Sequence, residues 1–117
     1  MGLFAGVLAG LVAILHLGFF VLESVLWARP TGRRIFGLSR EDAETTQVLA
    51  MNQGVYNAMV AVGLGWGLIS AEPALVSFML FFVVVVGVFG AITVKPTILV
   101  LQALPALLAL GAEFVTG

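Results

Sequence analysis

The sequence predicts an all-α protein, a four-helix transmembrane bundle forming a single domain over residues 1–117 with both termini on the non-cytoplasmic side. The 117 residues are 62% hydrophobic and 9% charged, with a mean hydropathy of +1.19, which leaves too few polar side chains to cover a soluble globule. A bilayer core about 30 Å thick takes roughly 20 apolar residues per helix, so a chain of this length holds four spans and little else. All five Lys and Arg residues lie between Arg29 and Arg40 or at Lys95. Four spans place those two segments on the same side of the membrane.

The first span is expected over residues 3–27. No Lys or Arg precedes it, whereas a cleaved signal peptide opens with positive charge, so it is read as a retained helix. Residues 28–46 form the expected cytoplasmic loop. Its first part, Ala28 to Arg40, is broken by Pro30, Gly32 and Gly37 and holds four of the five cations. Ser39 has the character of a helix N-cap. Glu41, Asp42 and Glu44 follow in the first turn, where the helix dipole favours negative charge. This second helix begins outside the lipid and spans residues 47–70. Ala71-Glu72-Pro73 makes a tight turn, with proline suited to the first position of the next helix, and the third span covers residues 74–94. Lys95-Pro96-Thr97 turns the chain into the fourth span, residues 97–115. There Pro105 is expected to kink the helix and free a carbonyl.

The positive-inside rule makes the side of the arginine loop and Lys95 cytoplasmic, so the protein is expected as a multi-pass protein of the cytoplasmic (inner) membrane with Glu72 and Glu113 outside. The absence of cysteine excludes disulfides and thiolate chemistry. A net charge of −1, with the cations confined to one loop and one turn, gives no basis for a nucleic-acid partner. No phosphate-binding loop, nucleophile elbow or metal-ligand constellation is present, and no cofactor or metal is expected. The chain has no internal repeat, so an inverted-repeat transporter within one chain is not supported.

The polar residues inside the spans are the functional candidates. His16 lies near the middle of the first helix and Glu23 seven residues further on, roughly 10 Å along the axis and on the same face. Trp27 follows four residues later at the interface, where indole rings prefer to sit. The second helix supplies Asn52, Gln53, Tyr56 and Asn57, paired at i,i+4 spacing. Thr93 and Gln102 come from the third and fourth helices. Unsatisfied polar groups in hydrocarbon are costly, so all of these are expected to converge in the bundle interior of the cytoplasmic half. An ionisable residue within a span is functional by default. The competing structural reading is that Glu23 and the amides hold helices together and that His16 packs in a core. The doubled small-residue spacing of Gly2, Gly6 and Gly10 suits close helix packing or an oligomer seam, and the arginine loop suits a topology determinant or an anionic-lipid site.

The run Asn52-Gln53-Gly54-Val55-Tyr56-Asn57, followed by Ala61 and Gly63-Leu64, resembles the hallmark stretch of the domain of unknown function 1304 family of small bacterial membrane proteins. His16, Glu23, Trp27, the Gly87-x-x-Gly90-Ala91-x-Thr93 stretch and Gln102-x-x-Pro105-Ala106 match as well, so the resemblance covers nearly the whole chain. It implies a four-helix membrane protein and brings no activity with it.

Three functions remain open. The first is binding or acid-base conversion of a small lipophilic substrate, of isomerase, hydrolase or cyclase type. Glu23 would be the acid, His16 its partner base or relay, and Trp27, Asn52, Gln53, Tyr56, Asn57, Thr93 and Gln102 the substrate-facing groups. Sterol isomerases of the emopamil-binding type are similar in placing a histidine and a glutamate on one helix, at a different spacing. The second is proton-coupled export, since small multidrug resistance proteins resemble this chain in length, span number and a first-helix glutamate. Glu23, however, sits towards the cytoplasmic end, and the aromatic pattern around it differs. The third is a non-catalytic assembly subunit. Four short helices enclose little volume, which favours a homo-oligomer with sites at or near its interfaces.

Overall fold

The computed structural model describes residues 1–116. Among them every regular element is helical. These are α1 (Leu3–Phe20), α2 (Pro30–Phe36), α3 (Arg40–Ile69), α4 (Pro73–Thr93) and α5 (Leu104–Thr116), with π-helical turns at Val21–Val25 and Leu99–Ala103. Two stretches, Leu3–Val25 and Pro73–Thr93, are long and apolar enough to cross a membrane, and Leu99–Val115 is a shorter apolar helix. The 30-residue α3 is made less apolar by Asn52, Gln53 and Asn57. Large apolar side chains, among them Leu3, Ile14, Phe78, Phe89 and Ile92, stand exposed on the surface.

Residues 28–46 are not a plain loop. They contain α2 and the first two turns of α3. Pro30 occupies the first turn of α2, where its missing N–H costs nothing. Gly37 ends the helix in the left-handed region at φ 64°. Its N–H and that of Leu38 both return to the Arg33 carbonyl, a glycine C-terminal motif. The residues read as breaks are thus the start and stop of a short helix. Ser39 then caps α3 as expected, its Oγ accepting the Asp42 N–H at 3.0 Å.

The α3–α4 turn is a Schellman closure. The Glu72 N–H donates to the Gly67 carbonyl at 2.9 Å and the Ala71 N–H to the Leu68 carbonyl at 3.4 Å. Ala71 takes the left-handed position at φ 52°, which glycine occupies without a Cβ penalty. Ala71→Gly is therefore expected to stabilise the protein by roughly 0.5–1 kcal/mol, read as a raised Tm in detergent.

The chain divides into two compact units, Leu15–Ala61 and Met1–Ile14 with Val62–Gly117. In the second of these, α4 packs along α5 and the π-turn before it. Val76, Leu80, Val83 and Gly87 line the buried stripe of α4, while Ala103, Ala106 and Ala109 are buried on the segment it packs against. Small residues on both sides bring the backbones close at Gly87 and Ala103. A Cβ on Gly87 would stand 2.8 Å from the Ala103 nitrogen. The 4-3-4 spacing on α4 gives one narrow seam, as in coiled-coil packing. Gly63 and Gly67 likewise meet Met79 and Val76 across the α3–α4 hairpin. By contrast, a Cβ on Gly6 or Gly10 would meet nothing within 4 Å among the described residues.

Pro105 falls in the first turn of α5, and a π-turn, Leu99–Ala103, comes just before that helix. The Leu104 N–H reaches back five residues to the Leu99 carbonyl. Such an insertion is one of the recognised causes of local helix distortion.

Candidate functional site

The site is built within the unit Leu15–Ala61. At the end of α1 the helix widens into the π-turn Val21–Val25, closed by the Leu26 N–H on the Val21 carbonyl at 3.0 Å. Single π-turns inside α-helices frequently mark functional positions, and this one carries Glu23. The segment lies antiparallel to α3, joined by three side-chain bonds. Asn57 Nδ2 donates to Glu23 Oε1, Ser24 Oγ donates to the Met51 carbonyl at 2.9 Å, and Trp27 Nε1 donates to Thr46 Oγ1 at 2.9 Å.

Gly54 makes this approach possible. A Cβ there would lie 2.0 Å from Ser24 Oγ and 3.0 Å from its backbone nitrogen. Ala43, Ala50, Gly54, Asn57, Val60 and Ala61 are buried along this part of α3. The third bond extends outward. Thr46 Oγ1 itself donates to the Asp42 carbonyl at 2.8 Å, and the Trp27 ring packs on Phe36 of α2 with centroids 4.7 Å apart. α2 closes over the end of the π-turn, where a Cβ on Gly32 would fall 1.8 Å from the Leu26 carbonyl oxygen.

At the centre, Asn57 is 9% exposed and Glu23 is half-buried. Among the described residues, the Glu23 side chain takes its one hydrogen bond from Asn57 at Oε1. The amide thus fixes the orientation of the carboxyl while Oε2 stays open to a further partner. Such a group can accept a hydrogen bond from a ligand or pass a proton to it. His16 is completely buried and meets Phe19 edge to face, centroids 5.1 Å apart. Its place seven residues before Glu23 separates the two by roughly 10 Å along the axis.

The residues expected to converge do so only in part. Asn57 joins Glu23, and Trp27 lies nearby as a tie between α1 and α3. Asn52, Gln53 and Tyr56 are exposed, Tyr56 by 71%, so the convergence of all four α3 groups in the interior is corrected. Six consecutive helical positions cover more than a full turn, and one buried stripe cannot take them all. Thr93 and Gln102 belong to the other unit. Thr93 is exposed and its Oγ1 donates to the Phe89 carbonyl of its own helix at 2.8 Å, while Gln102 is half-buried. Ser24, not singled out in the sequence, is the missed member of the site. Its position beside Glu23 was the available signal. No group of three His, Asp or Glu residues among those described is placed to hold a metal.

Comparison with known proteins gives a relative and a family. The chain is 30% identical over 112 residues to the "Uncharacterized protein YpaA" of Lactococcus lactis subsp. lactis (strain IL1403), covering 92% of this chain and 94% of that protein. No solved structure matches the chain significantly. Residues 10–114 match the family described as "Protein of unknown function (DUF1304)". The length of that match and the agreement with a full-length relative make this chain a member of the DUF1304 family.

Proposed function

We propose that this chain is a four-span protein of the cytoplasmic membrane that binds a small lipophilic molecule at Glu23 and exchanges a proton with it. The observation that carries the proposal is a half-buried carboxyl at the end of an apolar helix, one oxygen oriented by Asn57 and the other open. An ionisable side chain in such a helix is expensive and is kept for function. The exposed apolar surface supports immersion in lipid, and the confinement of Lys and Arg to 29–40 and Lys95 supports both termini lying outside. In this topology Glu23 is in the cytoplasmic half. His16 would act as a relay through a bridging water or through the ligand itself, given its distance along the helix.

Exposed Asn52, Gln53 and Tyr56 would face hydrocarbon in a monomer, which is costly for amides. Pairing between copies of the chain would satisfy these groups, which favours a homo-oligomer seamed along this face of α3.

Native mass spectrometry of protein released from mild detergent tests the binding reading. Wild type is expected to retain a discrete lipophilic molecule that Glu23→Gln, which keeps the side-chain shape and an oxygen for Asn57, does not retain. Equal retention by both proteins, or none by either, would overturn it.

A further inference from the structure

A second carboxyl centre lies in the other unit. Ser77 Oγ on α4 donates to Glu113 Oε1 on α5 at 2.6 Å, and Glu113 Oε2 is buried with no hydrogen-bond partner among the described residues. A buried, unpaired carboxyl oxygen is destabilising unless something occupies it. Both residues line a cleft of about 740 Å³ whose other walls include Pro73, Phe78, Phe81 and Leu110. That volume falls in the range of small-molecule sites, which are mostly apolar with a few oriented polar groups.

We propose that this cleft binds a small organic ammonium with an apolar or aromatic body. A turn of the Glu113 carboxyl towards the cleft would bring the buried Oε2 to its wall, where the ammonium would donate an N–H to it and satisfy the orphaned acceptor with charge assistance. Ser77 would hold the other oxygen and so fix the carboxylate plane. Phe78 and Phe81, both more than half exposed to the cleft side or the surface, would offer ring faces to the cation and contact area to its body. A metal ion is a poor alternative occupant, because Glu113 is the one acidic or histidine residue among the described residues that line the cleft and no group of three such ligands occurs among the described residues. A neutral alcohol would supply the donor but not the charge. The proposal is independent of the Glu23 site, since every residue it uses belongs to the unit formed by Met1–Ile14 and Val62–Gly117.

Isothermal titration of the purified protein in a neutral maltoside detergent, with phenethylammonium as probe and 2-phenylethanol as its uncharged counterpart, tests it. The ammonium is expected to bind at least about tenfold more tightly than the alcohol, and Glu113→Gln to erase that preference. Ser77→Ala and Phe81→Ala are each expected to weaken binding several-fold, and they keep the test valid if Glu113→Gln fails to fold. The preference for ammonium over alcohol is expected to persist in a Glu23→Gln background, so that its loss in Glu113→Gln belongs to this cleft and not to the site proposed above. Equal affinity for ammonium and alcohol, undiminished binding by folded Glu113→Gln, or no binding by wild type would overturn the proposal.

Discussion

Gly54→Val is expected to disrupt the contact between the π-turn and α3 beside Glu23, costing about 1–3 kcal/mol or more through overpacking alone. The first carbon of any side chain there would stand 2.0 Å from Ser24 Oγ, well inside contact distance. Relief requires Ser24 to swing away from the Met51 carbonyl, losing that bond, or the π-turn to shift bodily from α3, which also strains the Glu23–Asn57 bond. The control is Gly65→Ala on the same helix, where an added Cβ meets nothing within 4 Å. There, replacing glycine within a helix is expected to stabilise by roughly 0.5–1 kcal/mol. Opposite signs for the two variants, measured by thermal unfolding in one detergent, are the expected pattern. Equal tolerance of both would mean that Ser24 and Gly54 do not touch.

Asn57→Ala carries the second large effect. It strips Glu23 Oε1 of its donor and leaves a half-buried carboxyl to find another partner, at a cost of about 1–3 kcal/mol for a lost bond to such a group. Interhelical bonds in membranes average towards the lower end of that range, so the informative quantity is the coupling. In a Glu23→Leu background the same Asn57→Ala change is expected to cost under about 0.5 kcal/mol more than a distant control, because the bond is already absent. Additive losses would show that Asn57 stabilises α3 by some route other than Glu23.

Local chemistry made the helix ends legible. Ser39 with Asp42 three residues later, and Ala71-Glu72-Pro73, each specify a cap or turn within a handful of residues, and both occur where expected. Glu23 stood out as a candidate for a similar reason, being the one carboxyl in the first apolar run. Three things were not legible. α2 is hidden in the sequence because Pro30 and Gly37 signal both the interruption of a long helix and the limits of a short one. The π-turn at Val21–Val25 carries no glycine or proline to announce it. The third was which α3 polar group faces Glu23, since the choice of Asn57 over Asn52, Gln53 or Tyr56 depends on the face that Gly54 presents to Ser24. The Ser77–Glu113 pair, 36 residues apart in the chain, is likewise set by the packing of α4 on α5 and by no local pattern.

Labelling of intact membranes with a lipid-soluble carbodiimide, followed by peptide mapping, tests the central claim most directly. That reagent reaches carboxyl groups from the hydrocarbon phase, and a water-soluble carbodiimide reaches those facing the aqueous phase. Glu23 is expected to be modified by the lipid-soluble reagent and spared by the water-soluble one, while Glu41, Asp42 and Glu44 at the start of α3 show the reverse. Modification of Glu23 by the water-soluble reagent alone would place it outside the bilayer and contradict a membrane-embedded carboxyl site.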